Sequence, residues 1–419
     1  MYFSIRSAIA ALLCMTLTTV ASAAEPEPLA LKTLQNPGKN RVAVTVFDVG
    51  QGNCALISCP NGKKVMMDCG TRSSSKSGDR VPNAKRLFDA IVGDTGVEAL
   101  FLSHSHVDHY SLVDDFLKTS VPTIVMGGRK ADYSREGFPA WLRTQPAATT
   151  LFTEGMPSDY QDHPGAPFPS VPCGERATDG IYVLGINTVA SNNPNAHSIV
   201  AMLRHTASGK DPFSMMFLGD APTQVEQLVL ERYEPHAAFL DTDVVLAAHH
   251  GARRVIRPPN TDTWLEATTP DAVIYSAGRN KRYGHPNCGT VDQYLAYTSP
   301  ISGDPHSLSC SQGRRAGSPM WRDATDFGSA QFNTQNSGAV VTVYDGDANR
   351  MTVYTCPGNQ LASCTGTTVT TSRKRPASSL ESDDETGSPK KARRSSPTAG
   401  EDGRPAPLAS RGEARSSRE

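Results

Sequence analysis

Two β-sheets packed between helices are the fold class this sequence predicts, and three observations predict it. Short β-rich apolar runs pair early in the chain, strand-like and helix-like runs then alternate, and a hairpin closes the ordered part. The early pair is "RVAVTVFDV" and "KKVMMDCG", with the turn "CPNGK" between them. "PNAKRLFDAIVGD" sets Leu87, Phe88, Ile91 and Val92 at helical spacing. "VEALFLSHSH" reads as a buried strand, and "YSLVDDFLKT" places Leu112, Val113, Phe116 and Leu117 on one helix face. "SIVAMLRH", "FSMMFLGD", "TDVVLAAHHG" and "DAVIYSAG" are further strands, with "PTQVEQLVLERY" a helix among them. "AVVTVYDGDANRMTVYT" is the closing hairpin, and the Pro- and Gly-rich residues 127–194 read as an insertion or loop system.

A chain of 419 residues, 38% hydrophobic, suffices for one large domain or two ordinary ones. Its formal net charge of −1 excludes an overall electrostatic bias toward nucleic acid or membranes, so any such bias is local. Residues 1–24 have the layout of a cleavable export signal: Arg6, an apolar stretch, then the small-residue exit "ASA". The apolar part is shorter than the ~20 residues a membrane span needs, and the mature chain is expected to have no transmembrane segment. Of the 9 cysteines, Cys14 lies in that leader. The even remainder suits an oxidising compartment. Cys356 and Cys364 lie close enough to close a small loop, as do Cys288 and Cys310, while Cys54, Cys59, Cys69 and Cys173 remain without a fixed pairing. Residues 25–41 form a lead segment, 42–364 the domain, and 365–419 a tail too poor in apolar residues to offset its ordering entropy.

The chemistry concentrates in "HSHVDH". His104 and His106 alternate at a strand end, so both rings can project to one side. Asp108 and His109 follow where the chain turns into the next helix. Imidazole and carboxylate are the ligands that divalent metals such as zinc prefer. Two such ions about 3.5–4 Å apart can activate a water and clamp a reacting oxygen. A polar surface turn would bring four such ligands together only by chance. Other strand ends supply further candidates: Asp220 after "FSMMFLG", His249 and His250 after "VVLAA", His285 in "YGHP", and Asn195, His197 and Ser198 in "NAHS".

In this order the motifs resemble the metallo-β-lactamase superfamily of di-metal hydrolases, whose signature is HxHxDH. They are similar in particular to the metallo-β-lactamase-like domain of the ComEC-type DNA-uptake competence protein and its soluble relatives. Those carry a DVGQGD-like strand, here "FDVGQGNCALI", and an IDGG-like strand, here "MMDCG". NNxS, GD, HHGS and YGHP motifs follow, here "NAHS", "LGD", "AHHG" and "YGHP", across about Val42 to Tyr354. The resemblance implies a four-layer αββα sandwich with two divalent metals at one edge, zinc first and manganese as the alternative. It puts His104 and His106 on the first metal, Asp108 and His109 on the second, and Asp220 bridging both. One histidine of "AHHG" completes the ligands of the second metal; His249 is favoured, with His250 then a substrate contact. Asp68 would orient a ligand histidine, Asn195 would support another, and His285 would contact the substrate phosphate or protonate the leaving group. The sequence departs from the pattern at Asn53, Cys69 and Ala196, and His197 either restores a third histidine at the first metal or points into solvent.

The implied function is an exported, periplasmic or secreted di-metal hydrolase, a phosphodiesterase cleaving DNA or RNA through a metal-bound hydroxide, with Asp108, Asp220 and His285 catalytic. A phosphorylcholine-type phosphoesterase is the alternative, and a non-catalytic metal-binding host-interaction protein a third class. β-Lactam hydrolysis is disfavoured because a carboxylate bridging both metals belongs to phosphodiesterase branches. From Arg373 onward the tail carries eleven Lys or Arg and eight Asp or Glu, a net charge of +3. Its positive charge lies in Arg373, Lys374 and Arg375 and in Lys390, Lys391, Arg393 and Arg394. This spacing resembles a bipartite nuclear-import signal, which implies a nuclear import receptor as partner and a host nucleus as destination. The plain alternative is a solvated tail or a weak nucleic-acid tether.

Overall fold

The computed structural model describes residues 26–72, 78–146, 150–152, 171, 173–253, 258–280, 282–315 and 318–371. The tail's basic clusters fall within residues 373–394. Those clusters and the leader lie outside the described residues.

The first half of the chain forms β1 (Arg41–Val46), β2 (Cys54–Ser58), β3 (Lys64–Cys69), β4 (Ala99–Leu102), β5 (Thr123–Met126) and β6 (Thr150–Phe152). Next come β7 (Gly180–Gly185), β8 (Val200–His205), β9 (Phe213–Phe217), β10 (Val244–Leu246) and β11 (Ala272–Tyr275). The chain then adds β12 (Ile301–Ser302), β13 (His306–Arg315), β14 (Ser318–Phe327), β15 (Gln331–Asn333), β16 (Ala339–Asp345), β17 (Arg350–Cys356) and β18 (Thr365–Val369). One sheet runs β12-β18-β17-β16-β1-β2-β3-β4-β5-β6, a second β15-β11-β10-β9-β8-β7, and β13-β14 stand apart as a ribbon. Strands β3 to β6 pair in parallel, as do β9, β10, β11 and β15, so their C-terminal ends gather on one edge.

Both faces of the central strands are apolar, as a strand sandwiched on two sides requires. In β1, Val42, Val44 and Val46 enter the core between the sheets, where they join Ile181, Leu203, Met215, Phe217 and Ile274 from the second sheet. Ala43 and Phe47 face the other way, onto Leu87, Phe88 and Ile91 of the helix Arg80–Val92. The second sheet's outer face buries Val225, Val229 and Tyr233 of the helix Thr223–Tyr233. Helix, sheet, sheet, helix: the chain is an αββα sandwich.

Four sequence expectations change in detail. Residues 127–194 include the helix Phe138–Thr144 and strands β6 and β7, so they are part of the sheets as well as loops. The domain does not stop at Cys364, because β18 pairs with β17 and buries Val369. The lead segment holds the helix Leu31–Gln35, whose Leu34 is fully buried. The helix expected over "YSLVDDFLKT" is two short ones, Val107–Tyr110 and Val113–Phe116. It breaks because Leu112 donates its backbone N–H to Cys69 at 2.9 Å, across to β3.

Candidate metal centre

The "HSHVDH" turn is held by the two glycine-bearing loops that precede it in sequence. The Asn53 N–H donates to the Asp108 carbonyl at 2.9 Å, and the Gly70 N–H donates to the Asn53 carbonyl at 2.8 Å. A Cβ on Gly70 would stand 2.5 Å from backbone atoms of Asp108, His109 and Tyr110, so only glycine allows this approach. Cys69, the departure from the expected glycine, is bonded to Cys54 and ties β3 to β2 beside the turn. The other pairs are Cys59–Cys173, Cys288–Cys310 and Cys356–Cys364.

Asp220, buried at the end of β9, is the hub. Its carboxylate lies 3.2 Å from His109 Nε2, 3.5 Å from His249 Nε2, 3.6 Å from His250 Nε2 and 3.7 Å from His104 Nε2. Asp108 lies 3.6 Å from His250 Nε2. His104, His109 and Asp220 offer ligand atoms within 4.8 Å of one another, and so do Asp108, His109 and His250. His250, rather than the favoured His249, therefore stands with Asp108 and His109. His249 leans toward Asp220 and takes a contact from Asn195 Nδ2 at 3.3 Å. His106 is only partly buried and sits 3.0 Å from His104 Nε2, beside the groups rather than within them. His197 belongs to neither. Its ring turns toward Gly128 and lines a cavity with Ser105, Arg129 and Asp132, while the next residue, Ser198, takes the inward position near His104.

A metal fits these residues. Asp108 Oδ1, His109 Nε2, Asp220 Oδ1 and His250 Nε2 are buried without a well-aligned hydrogen-bond partner. Four such orphans converging on one point are costly in a protein interior unless a ligand satisfies them. The outer nitrogens are already committed. His250 Nδ1 donates to the Ser276 carbonyl at 2.8 Å, and His109 Nδ1 donates to Asp68 at 2.8 Å, which turns each Nε2 toward the carboxylates.

The charges agree. Burial works against ionised Asp220, yet His249, His109 and His250 hold its carboxyl well below the ordinary range. Burial likewise opposes ionised Asp108, and the close approach of His250 together with His109 outweighs it and holds its carboxyl below the ordinary range. Burial opposes a charged His109 too, but Asp220 and Asp68 push it well above 6.5. At pH 7 the metal-free protein therefore holds a proton on His109 that a metal must displace. Zinc affinity is expected to rise with pH until it passes that raised value. Calorimetric titration at pH 7 in two buffers of different ionisation enthalpy should show proton release; identical heats would count against this.

Some of the site was not expected from sequence. His249 and His250 are consecutive left-handed residues, at φ 53° and 57°. Such backbone costs about 1–2 kcal/mol per residue and needs support. Asn260 supplies it: its side chain accepts from the Ala248 N–H at 3.0 Å and donates to the Ala248 carbonyl at 3.1 Å. Glu226, fully buried, in turn accepts from the Asn260 and Thr261 backbone N–H groups. In "PPNT" and in an ordinary helix, neither residue carries a periodic or motif signal. Ser103 is the other omission; its hydroxyl donates to Asp68 at 2.8 Å.

The family model described as "Metallo-beta-lactamase superfamily" matches residues 47–184. Over that span the chain is similar to the metallo-β-lactamase superfamily. The chain is also similar to the competence protein ComA of Neisseria gonorrhoeae, 25% identical over 261 residues. That alignment covers 62% of this chain and 30% of ComA, so the chain spans under a third of that relative. Among solved structures, one of "a possible metal-dependent hydrolase" from Veillonella parvula DSM 2008 aligns at 9% identity and a TM-score of 0.33, covering 61% of this chain and 92% of that one. The metallo-β-lactamase MIM-1 from Novosphingobium pentaromativorans aligns at 14% identity and a TM-score of 0.26, covering 53% and 82%. Among the described residues no helix is long and apolar enough to cross a membrane.

Proposed function

We propose that this metallo-β-lactamase-fold, metal-dependent hydrolase is an exported phosphodiesterase that acts on nucleic acid. The observation that carries the reading is Asp220, a buried carboxylate within 3.2–3.7 Å of four histidines. A carboxylate so central can serve two cations at once. Export is supported by the leader and by the pairing of the eight cysteines beyond it.

His104, His109 and Asp220 would hold one metal and Asp108, His109 and His250 border the second position. When bound, two such ions lower the pKa of water toward neutrality and neutralise charge building on the phosphate oxygens. The chain's own residues do the rest. Asp68 and Ser276 fix the His109 and His250 rings, so the nitrogens facing the centre do not reorganise during reaction. His285 lies beside His249 and His250, with ring centroids 5.7 Å and 6.2 Å away. Burial and those two histidines push it down to about 3, so it is neutral at pH 7. A neutral imidazole there donates a hydrogen bond to a substrate oxygen rather than acting as a standing acid.

The test is an assay of the zinc- or manganese-reconstituted protein. Bis-p-nitrophenyl phosphate and oligonucleotides should be cleaved well ahead of a phosphorylcholine ester or a β-lactam. β-Lactam cleavage as the dominant activity would overturn the reading.

A further inference from the structure

Beside the metal centre, arginines repeatedly lie on aromatic rings. Arg72 is 5.2 Å and Arg282 5.5 Å from the ring centroid of Tyr283, and Arg279 is 5.1 Å from that of Trp321. These are three of the four cation–π contacts among the described residues. They join the centre to the ribbon. Tyr283 stacks on His285 at 5.9 Å, and Arg72 Nε lies 3.0 Å from Asp108. The ribbon docks on the same loop, where Ser311 donates its backbone N–H to the Pro286 carbonyl at 2.9 Å. Among the described side chains, this loop and ribbon carry Arg279, Arg282 and Arg322 against Asp323 and Asp326, in a chain whose net charge is −1.

Neither packing nor metal binding accounts for this. A permanent cation beside Asp108 competes with a divalent ion for the carboxylate and repels it. An anion arriving with the substrate would offset that repulsion. Arg279 and Arg322 are ion-paired with Asp323 and Asp292, but pairs this exposed are weak. Trp321 and Tyr283 are partly exposed, and Met320 between Pro319 and Trp321 is 40% exposed.

We propose that the loop 276–287, the ribbon β13–β14 and Arg72 form a track for single-stranded nucleic acid, with bases on Tyr283 and Trp321 and phosphates on Arg72 and Arg282. The inference rests on the proposed action on nucleic acid and names the form of polymer. Aromatic faces can take bases only where these are unstacked, so a duplex gains no more than the backbone contacts.

Binding in EDTA separates this from hydrolysis. Full-length protein is titrated into a fluorescent oligothymidylate and into a duplex of equal length, with anisotropy as the readout. Trp321→Ala and Tyr283→Ala should each weaken single-strand binding roughly tenfold, whereas Trp321→Phe and Tyr283→Phe should retain it. Arg282→Ala should reduce the slope of log affinity against log salt by about 0.7. The basic tail is present in every variant, and circular dichroism confirms that each is folded. Unchanged affinity in both alanine variants, equal loss in the phenylalanine variants, or a duplex bound as tightly as the single strand overturns the track. Binding without cleavage in the metal-loaded protein would leave the track standing and remove the phosphodiesterase.

Discussion

Asp220→Asn is expected to lower turnover of bis-p-nitrophenyl phosphate by about 10²–10⁴-fold, the loss of the several kcal/mol that such a centre supplies. The substitution keeps the side chain's volume and leaves the backbone bond from the Asp220 N–H to Ser198 Oγ intact. What changes is charge and one oxygen. An amide presents N–H donors to a point on which His104, His109, His249 and His250 already converge at 3.2–3.7 Å. It also removes the anion that faces His109 Nε2 at 3.2 Å. Elemental analysis after zinc reconstitution should fall below the two ions expected of the parent, and circular dichroism should show the fold retained. Near-normal turnover with full metal content would mean that Asp220 is not the shared ligand.

Asp220 was legible because its position combines three signals: an apolar strand, an abrupt acidic residue, and a glycine before it. The same holds for His104, Asp108 and His109, where residue type and period-2 spacing coincide at the end of β4. The layers were legible for the same reason, since Val42, Val44 and Val46 alternate with Ala43 and Phe47 between two apolar environments. Less could be read where backbone conformation decides. Which of His249 and His250 stands with Asp108 depends on two left-handed residues, and their support comes from Asn260, remote in sequence. His197 could be read either way, because the short helical turn Pro194–His197 before β8 decides whether it or Ser198 faces His104. Strand β18 was missed because "TGTTV" is short and polar, and its pairing with β17 rather than its composition makes it a strand. The arginine–aromatic contacts join residues as far apart as Arg72 and Tyr283, so no local pattern announces them.

Asp68→Ala is expected to weaken zinc binding by about 10–100-fold, the usual cost of losing a group that orients a metal-ligating histidine. Asp68 is buried and makes three contacts at once. It accepts from the Ser103 N–H at 2.7 Å, from the Ser103 hydroxyl at 2.8 Å and from His109 Nδ1 at 2.8 Å. Alanine leaves the Ser103 N–H unpaired, at about 1–3 kcal/mol, and strips a buried cationic His109 of one carboxylate, at about 3–5 kcal/mol. It also sits at φ 54°, where an aspartate's short polar side chain is tolerated better than a methyl group. Asp68→Asn separates these effects. Asparagine keeps the left-handed backbone and can still accept from the Ser103 N–H, but it cannot carry charge and sets an amide toward His109 Nδ1. Its stability in urea should therefore lie between alanine and the parent, while its zinc affinity in a chelator competition should fall nearly as far as alanine's. If Asp68→Asn bound zinc as tightly as the parent, His109 would be oriented by something other than this carboxylate. The pairing of a buried aspartate with the hub histidine would then be a feature of the metal-free protein alone.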